Sequence, residues 1–492
     1  MPEKEEHKVV LDRHRKLEEL RVLGIEPYPY RFLPVDRSAD IAQRFAHLKP
    51  GERTTVLFRL AGRIMALRRM GRASFGDLQD ASGRLQFYIH EDADPEQYRL
   101  FELIDLGDII GIEGAVFKTK SGELTIDVDK LSLLAKALRP LPDKWKGLRD
   151  PELRYRRRYL DLLMGPAKRE IFVKKAAIIQ TLRSFLNSRG FLEVESPVLQ
   201  PIYGGAQARP FKTHLNALDM DVFLRISNEL YLKRLIVGGY DKVYEIGYDF
   251  RNESIDRTHN PEFTVMECYW AYADYNDMAS LFEKLMAKLA IAATGSTKID
   301  WQKKSADLKK WQRLTVYEAL KKFTNIDVAA LDEKALVSLI RKHKIELHEP
   351  KSTRGTMINA LFEELVVPKL IEPTIIFDHP KETTPLAKQH RRHPELVERF
   401  EPFLFGLELG NAYSELNDPV LQRAKLEEQA KLLRGGYTEA HPMDEEFVRA
   451  LEYGMPPTAG LGLGVDRLIM LLTNQPSIKD VIFFPFMRPG HA

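Results

Sequence analysis

The chain reads as an α+β protein, with a small β-barrel towards the N-terminus and a larger domain built on an antiparallel sheet flanked by helices. Three observations predict this. Residues 55–134 alternate apolar and polar side chains in short runs broken by turn sequences, the period of strands with one buried face. Residues 170–189 instead repeat apolar side chains at helical spacing and lead into a strand-like run. The run Gly460-Leu461-Gly462-Leu463-Gly464 lacks the spacing of a dinucleotide fingerprint, and no Gly-Lys-Ser/Thr phosphate loop occurs, so a doubly wound parallel sheet is not indicated.

In chain order, residues 1–54 form a helix and a lead-in. Val9, Val10, Leu17, Leu20 and Leu23 repeat at roughly helical spacing up to Gly24, and Pro27, Pro29 and Pro34 keep the following segment extended. The barrel occupies 55–140. Its alternating runs include Val56/Phe58/Leu60, Leu85/Phe87/Ile89 and Leu124/Ile126/Val128, with hairpin turns at 80–83 and 120–123. About five such strands suit the oligonucleotide-binding (OB) fold, whose strand face holds single-stranded bases. Arg68, Arg69, Arg72, Phe75, Gln86, Tyr88 and Glu123 could furnish that face, although any one of them alone is more often ordinary surface.

Residues 141–165 form a basic linker. Lys136, Arg139, Lys144, Lys146, Arg149, Arg154, Arg156, Arg157 and Arg158 crowd around it, either as a solvated connection or as a contact for nucleic-acid phosphates. Residues 166–492 form the larger domain. Its first helix carries the stripe Ile171, Ala176, Ile178, Ile179, Leu182, Phe185 and Leu186, ends at Gly190, and is followed by a strand at 191–195. Residues 220–275 and 400–416 read as antiparallel strands, and about 293–372 as a polar helical insertion.

Composition narrows the class. A chain of 492 residues exceeds one ordinary core, and 44% hydrophobic with 29% charged residues is the balance of a soluble globular protein. No apolar run approaches the roughly 18 residues of a membrane span, so no membrane association is expected. The charged N-terminus lacks an export signal core. One cysteine, Cys268, excludes an internal disulfide and a multi-cysteine zinc site, and reads as a small buried hydrophobe in a reducing, cytoplasmic setting. A net charge of +3, from 74 basic and 71 acidic residues, does not by itself announce nucleic acid.

The chemistry concentrates in two segments: Phe250-Arg251-Asn252-Glu253, continuing to His259-Asn260-Pro261-Glu262-Phe263, and Gly460 to Gly464 with Val465-Asp466-Arg467. Either arginine alone reads as a surface ion pair beside a turn. Two planar, permanently charged guanidiniums among apolar and glycine residues instead suggest a bound polyphosphate, with Phe263 as a flat face for a nucleobase.

Together these segments resemble motifs 2 and 3 of the class II aminoacyl-tRNA synthetases, and the helix and strand ending at Ser196-Pro197 resemble motif 1, which builds a homodimer interface in that family. The resemblance implies ATP as substrate, with Arg251 on the α-phosphate and the incoming carboxylate. It places Glu253, His259, Asn260, Phe263 and Gly464 around the adenine, ribose and phosphates, and Arg467 over the adenine and γ-phosphate. This chain has Arg257-Thr258-His259 where an arginine often directly precedes the histidine, which leaves the γ-phosphate partner open. Catalysis of this kind needs positioning and charge neutralisation rather than a nucleophile, so Arg251, Glu408 and Arg467 are the candidate catalytic residues. Mg2+ requires hard oxygen ligands, for which Glu408 and Glu415 are expected. Their odd separation puts them on opposite faces of a flat strand, so they share a site only if the chain breaks near Gly410-Asn411.

Over essentially the whole chain the match is to the lysyl-tRNA synthetase family. It implies that Gly205 and Glu229 hold the α-amino group of lysine and that Tyr269 and Glu415 receive its ε-ammonium. Glu267, Arg251, Asn411 and Tyr413 complete the pocket. Aspartyl enzymes place an arginine where Glu415 stands, and a carboxylate there attracts ammonium and repels aspartate. Glu415 and Glu267 therefore weigh against an aspartyl or asparaginyl enzyme. The barrel weighs against relatives that join lysine to a protein, and the intact Arg251, Glu408 and Arg467 against a silent RNA-binding protein. In the barrel, Arg68, Phe75, Gln86 and Glu123 match positions that read the anticodon of tRNA(Lys).

Overall fold

Five strands close the N-terminal barrel: β1 (Arg53–Met70), β2 (Ala73–Gln79), β3 (Arg84–His90), β4 (Ile109–Lys118) and β5 (Leu124–Ala135), in the order β1-β2-β3-β5-β4. The structure is a computed structural model and describes residues 3–91, 94–142, 148, 150–347 and 352–489. Strand β1 spans 18 residues, longer than the short strands expected. An irregularity between Ile64 and Ala66 bends it, so that one strand pairs with both β2 and β4. Leu78, Leu85, Phe87, Ile89 and Ile126 point inward and form the barrel core with their neighbours. The chain divides into two compact units, Met1–Arg154 and Tyr155–Ala492.

The second unit contains strands β6 (Leu192–Glu193), β7 (Leu199–Gln200), β8 (Lys212–Leu215), β9 (Met220–Leu224), β10 (Lys242–Phe250), β11 (Glu262–Ala271), β12 (Lys298–Trp301), β13 (Lys304–Asp307), β14 (Gln312–Thr315), β15 (Thr374–Pro380), β16 (Leu396–Leu404), β17 (Leu407–Glu408), β18 (Gly410–Ser414) and β19 (Thr458–Gly464). Nine of them form the main sheet, ordered β14-β15-β16-β18-β19-β11-β10-β6, with β17 paired to β16. Its interior pairs are antiparallel, and only the edge pairs β14–β15 and β10–β6 are parallel. One face is covered by helices Pro166–Asn187 and Tyr275–Thr294. Ile178, Leu182, Phe282, Leu285 and Leu289 meet Met266, Cys268, Leu461 and Leu463 in a single apolar core. Cys268 is buried there, and its burial raises the thiol pKa. The opposite face is left to the cavity described below.

Two expectations need correction. Residues 220–275 are not all strand, because Glu229–Val237 is a helix that buries Leu230, Leu232 and Ile236. Its Glu, Leu, Lys and Arg content favours helix, and the short apolar run masked the period. Residues 293–372 are not wholly helical: helices Val316–Thr324, Glu333–His343 and Arg354–Leu365 accompany the β12–β13 hairpin and β14. That hairpin turns at Gln302 and Lys303, both at positive φ (48° and 69°), without the Asn or Gly that signals such a turn.

Two members of the basic stretch are also not surface charges. Lys136 is buried and donates to Asp105 and Asp108 at 2.6 and 2.8 Å. Arg158 is buried and donates to Asp161 at 2.9 Å and to the carbonyls of Lys479, Ile482 and Phe483. Buried charges persist when paired in this way. Lys144, Lys146 and Arg149 lie outside the described residues. Among the described residues no helix is long and apolar enough to cross a membrane.

Candidate active site

Strand β19 lies between β11 and β18, and its register builds the floor of the site. Gly460 sits opposite Tyr269 on one side and Tyr413 on the other; Gly462 sits likewise between Glu267 and Asn411. Alternation sends Leu461 and Leu463 into the core and the glycines towards the cavity. The space is needed. A Cβ on Gly460 would lie 2.1 Å from Oε1 of Glu415 and 2.6 Å from the Tyr269 ring. Gly205, at φ +87°, packs so closely that a Cβ would meet Ser227 Oγ at 2.7 Å and Glu229 Cβ at 2.9 Å.

Above this floor lies a cavity of about 460 Å³. Gly205, Glu229, Arg251, Glu253, His259, Asn260, Phe263, Glu267, Tyr269, Glu408, Asn411, Tyr413, Glu415, Gly464 and Arg467 all line it. Its two ends carry opposite charge.

At the acidic end, Glu229, Glu267 and Glu415 are all buried. Glu229 accepts from the Tyr413 hydroxyl at 2.6 Å and from Lys233 Nζ at 2.6 Å. Glu267 accepts from Ser227 Oγ at 2.7 Å and from the Tyr269 hydroxyl at 3.1 Å. Glu415 Oε2 is in contact with Lys233 Nζ, while Oε1 has no hydrogen-bond partner among the described residues. Burial first, and then the neighbouring Glu229, pushes the Glu267 carboxyl up to about 7. Glu415 is likewise raised by burial and by Glu229 and Glu267, against the pull of Lys233.

At the basic end, the Arg251 guanidinium lies 5.1 Å from the centre of the Phe263 ring, with its buried Nε unpaired among the described residues. Asn260 Nδ2 donates to the Glu262 carbonyl at 2.6 Å. Asp256 accepts from the backbone of Thr258 and His259 and contacts His259 Nδ1 at 2.8 Å, which lowers its pKa to about 2 despite some burial. This network turns His259 Nε2 towards Arg467 Nη2, 3.4 Å away. Glu253 lines the rim and is exposed. Arg257 donates to the Pro476 carbonyl at 3.1 Å and is not in the lining. The Gly464 N–H donates to the Leu409 carbonyl at 2.9 Å, and Arg467 donates to the Glu408 carbonyl at 2.5 Å.

The chain does break between Glu408 and Glu415. Strand β17 ends at Glu408, Leu409 turns inward, and β18 starts at Gly410. The break brings both carboxylates to one cavity. Glu415 is engaged by Lys233, and the carboxylate that acts on Glu408 is Glu401. Depth and then Glu401 raise the Glu408 pKa, with Arg467, Arg399 and Arg251 opposing. Glu408 is nonetheless 44% accessible, because it opens onto the cavity.

Sequence reasoning missed several cavity residues. Arg399 joins Asn411 Oδ1 at 2.9 Å to Glu401 at 2.5 Å. Its signal was its alternation with Glu401 on a strand beside β18. Asp256, Ser227 and Lys233 act through other side chains, and no local pattern marks them.

In the barrel, Arg68 faces Phe75 across β1–β2, and Phe75 lies beside Tyr88 with ring centres 4.9 Å apart. Gln86 shares this half-exposed face and accepts from Thr125 at 2.9 Å, and Glu123 is exposed just before β5.

The acidic end makes one immediate prediction. A difference titration of ligand-free protein against the Glu267→Gln variant should show a carboxyl with a midpoint near 7, protonated below and charged above. A midpoint at the ordinary 4.5 would mean that water fills the acidic end.

The chain that carries this cavity in one unit and a five-stranded barrel in the other matches known families. Residues 150–488 match the family model "tRNA synthetases class II (D, K and N)", and residues 58–134 match "OB-fold nucleic acid binding domain". The lysine–tRNA ligase of Pelotomaculum thermopropionicum is 50% identical over 97% of this chain and 94% of its own. The one of Moorella thermoacetica is 50% identical over 98% of both chains. That of Carboxydothermus hydrogenoformans is 48% identical over 99% of this chain and 100% of its own. With a class II domain, an anticodon-type barrel and this identity over the full length, the chain belongs to the lysine–tRNA ligase family of class II tRNA synthetases.

Proposed function

We propose that the chain activates L-lysine with ATP to lysyl-adenylate and pyrophosphate, and transfers the lysyl group to the 3′ end of tRNA(Lys) for protein synthesis. The observation that carries this reading is the polarity of the cavity. An amino acid with two ammonium groups fits the acidic end only if its carboxylate points towards Arg251, where the α-phosphate of ATP would lie.

In the first step a lysine carboxylate oxygen attacks the α-phosphorus, and the bond to the bridging oxygen of the β-phosphate breaks as pyrophosphate leaves. Glu229, with Gly205 leaving backbone room, holds the α-ammonium. Glu415, Glu267 and Tyr269 hold the ε-ammonium, with Asn411 and Tyr413 as walls. Arg251 bridges carboxylate and α-phosphate, so the reacting atoms are held in line and the charge of the transition state is met by a preorganised guanidinium. Its unpaired Nε supports a role that awaits a ligand. Phe263 and Arg467 enclose the adenine, with Glu253, Asn260 and Gly464 at its edge and on the ribose, and His259 beside Arg467 reaches the outer phosphates. In the second step the terminal ribose hydroxyl of tRNA attacks the lysyl carbonyl and AMP departs.

The family's ATP chemistry implies a divalent cation, and the residues present fit one. Glu408 and Glu401 are paired hard oxygen donors whose mutual repulsion a cation would relieve. We assign Mg2+ to Glu408 and Glu401, in place of the expected Glu408 and Glu415; bound there it would neutralise phosphate charge. A cytoplasmic location goes with this reading and is checked by cell fractionation.

Lysine-dependent ATP–pyrophosphate exchange is the test. Glu415→Gln should lower lysine activation by roughly two to three powers of ten, the cost of leaving a buried ammonium unpaired, with ATP binding much less affected. The lysine KM should fall as pH rises through about 7, because Glu267 then loses the proton that competes with ammonium. Exchange should also require a divalent cation, and Glu401→Gln should raise the magnesium concentration needed. A Glu415→Gln defect confined to ATP and magnesium would return that residue to the metal.

In the barrel, Arg68, Phe75, Gln86 and Glu123 are proposed to hold the anticodon. Phe75→Ala should leave exchange nearly unchanged while tRNA charging falls about ten- to hundredfold, the worth of one stacked base. Equal loss in both assays would assign Phe75 to stability instead.

The helix Pro166–Asn187 and strand β6 are proposed to lie at a two-fold homodimer interface. The stacked pair Phe172–Phe483, at 3.8 Å, and the exposed Val173, Phe484 and Phe486 support an apolar contact there. Sedimentation should show a dimer at assay concentrations, and an active monomer would remove the assignment.

A further inference from the structure

Lys233 is among the largest fully buried side chains, and it belongs to the Glu229–Val237 helix one turn after Glu229. Its ammonium touches two carboxylates, Glu229 Oε1 at 2.6 Å and Glu415 Oε2. Glu229, Glu415 and His441 line the cavity, whereas Lys233 lies behind them. The rings of Tyr413 and Phe447 flank its ammonium at 5.7 and 5.9 Å. His441 on that side is kept neutral at ordinary pH, its pKa lowered to about 4 by burial first and then by Lys233, and the Tyr269 and Tyr413 phenols, raised by burial and by Glu229, stay neutral as well. Charge at this end therefore comes from three carboxylates, Glu229, Glu267 and Glu415, and one ammonium.

We propose that Lys233 is a specificity-determining positioning residue: an internal counter-ion that locks Glu229 and Glu415 in place and cancels one of three buried negative charges, leaving two for the two ammonium groups of the substrate. This rests on the reading of the site as a lysine-activating one and goes a step beyond it. Without Lys233 the occupied pocket would hold three carboxylates against two ammoniums, and the uncompensated carboxylate would take up a proton or admit water. With it, the occupied pocket is neutral. An amino acid with one ammonium leaves a buried negative charge, so the excess of one charge becomes a filter for diamines. Lys233 also fixes geometry. By holding Oε2 of Glu415 it aims the unpartnered Oε1 into the space that Gly460 leaves open.

The test is Lys233→Met assayed by exchange with lysine and ATP varied separately. The lysine KM should rise roughly a hundredfold, as expected for breaking a buried pair, with the ATP KM changed less than about twofold, since its ligands are untouched. In a cycle with Glu415→Gln, the double variant should lose clearly less than the product of the two single losses, because part of the effect of Lys233 runs through that carboxylate. An unchanged lysine KM, equal rises in both KM values, or multiplying losses in the cycle would overturn the proposal. Should Lys233→Met not fold, the unaltered protein still decides. Competition with lysine by 1,5-diaminopentane should exceed that by pentylamine about tenfold, and equal competition would overturn the two-charge count. Absence of lysine-dependent exchange in the unaltered protein overturns the proposed function, whereas normal exchange with a lysine KM indifferent to Lys233→Met overturns this inference alone.

Discussion

The site depends on one constraint, the absence of side chains at Gly460, Gly462 and Gly464 on one face of β19. In the middle of a sheet, any residue larger than glycine at 460 would collide with Glu415 and Tyr269 from the neighbouring chain segments. Glycine in a strand interior costs conformational entropy and contributes no packing. Here that loss is offset on the other face, where Leu461 and Leu463 are locked into the main core between the sheet and two long helices. The same five residues therefore supply rigidity on one side and volume on the other. Everything placed around the cavity takes its position from that strand's register with β11 and β18.

Electrostatics divides the cavity. The acidic end is buried and held by hydrogen bonds from Ser227, Tyr269, Tyr413 and Lys233, so its carboxylates are fixed in place, while burial raises the pKa of Glu267 and Glu415. The basic end is looser. Arg251 rests against Phe263, and Arg467 is tied to a backbone carbonyl. On the proposed reading, charge is stored where a small, enclosed ligand is selected, and freedom is kept where a larger anion enters and leaves.

Much of the fold was legible because it rests on local signals. Alternation at 85–89 and 124–128 marked barrel strands, and Gly190, at φ +79°, closes the helix where the sequence placed its end. The cavity residues were legible through family motifs rather than through physics alone. What escaped is non-local. Lys233 is one of 74 basic residues until a fold sets it behind Glu415, and Glu401 looks like any strand glutamate until Arg399 and Glu408 surround it. The Glu229–Val237 helix was lost because a short apolar run carries no decisive period. The hairpin at Gln302-Lys303 was lost because its left-handed turn uses residues that seldom make one.

The inward turn at Leu409 has a wider meaning. Its N–H donates to Pro402 and its carbonyl accepts from Gly464, so this one buried residue is pinned by backbone alone, whatever its neighbours' side chains do. On one side of it lies Glu408, proposed above for the phosphate chemistry; on the other lie Asn411, Tyr413 and Glu415, proposed above to choose the amino acid. On the proposed reading, mutational change beyond the pin alters which amino acid is chosen without disturbing how it is activated. A single interrupted strand would thus make the chemistry heritable separately from the choice of substrate.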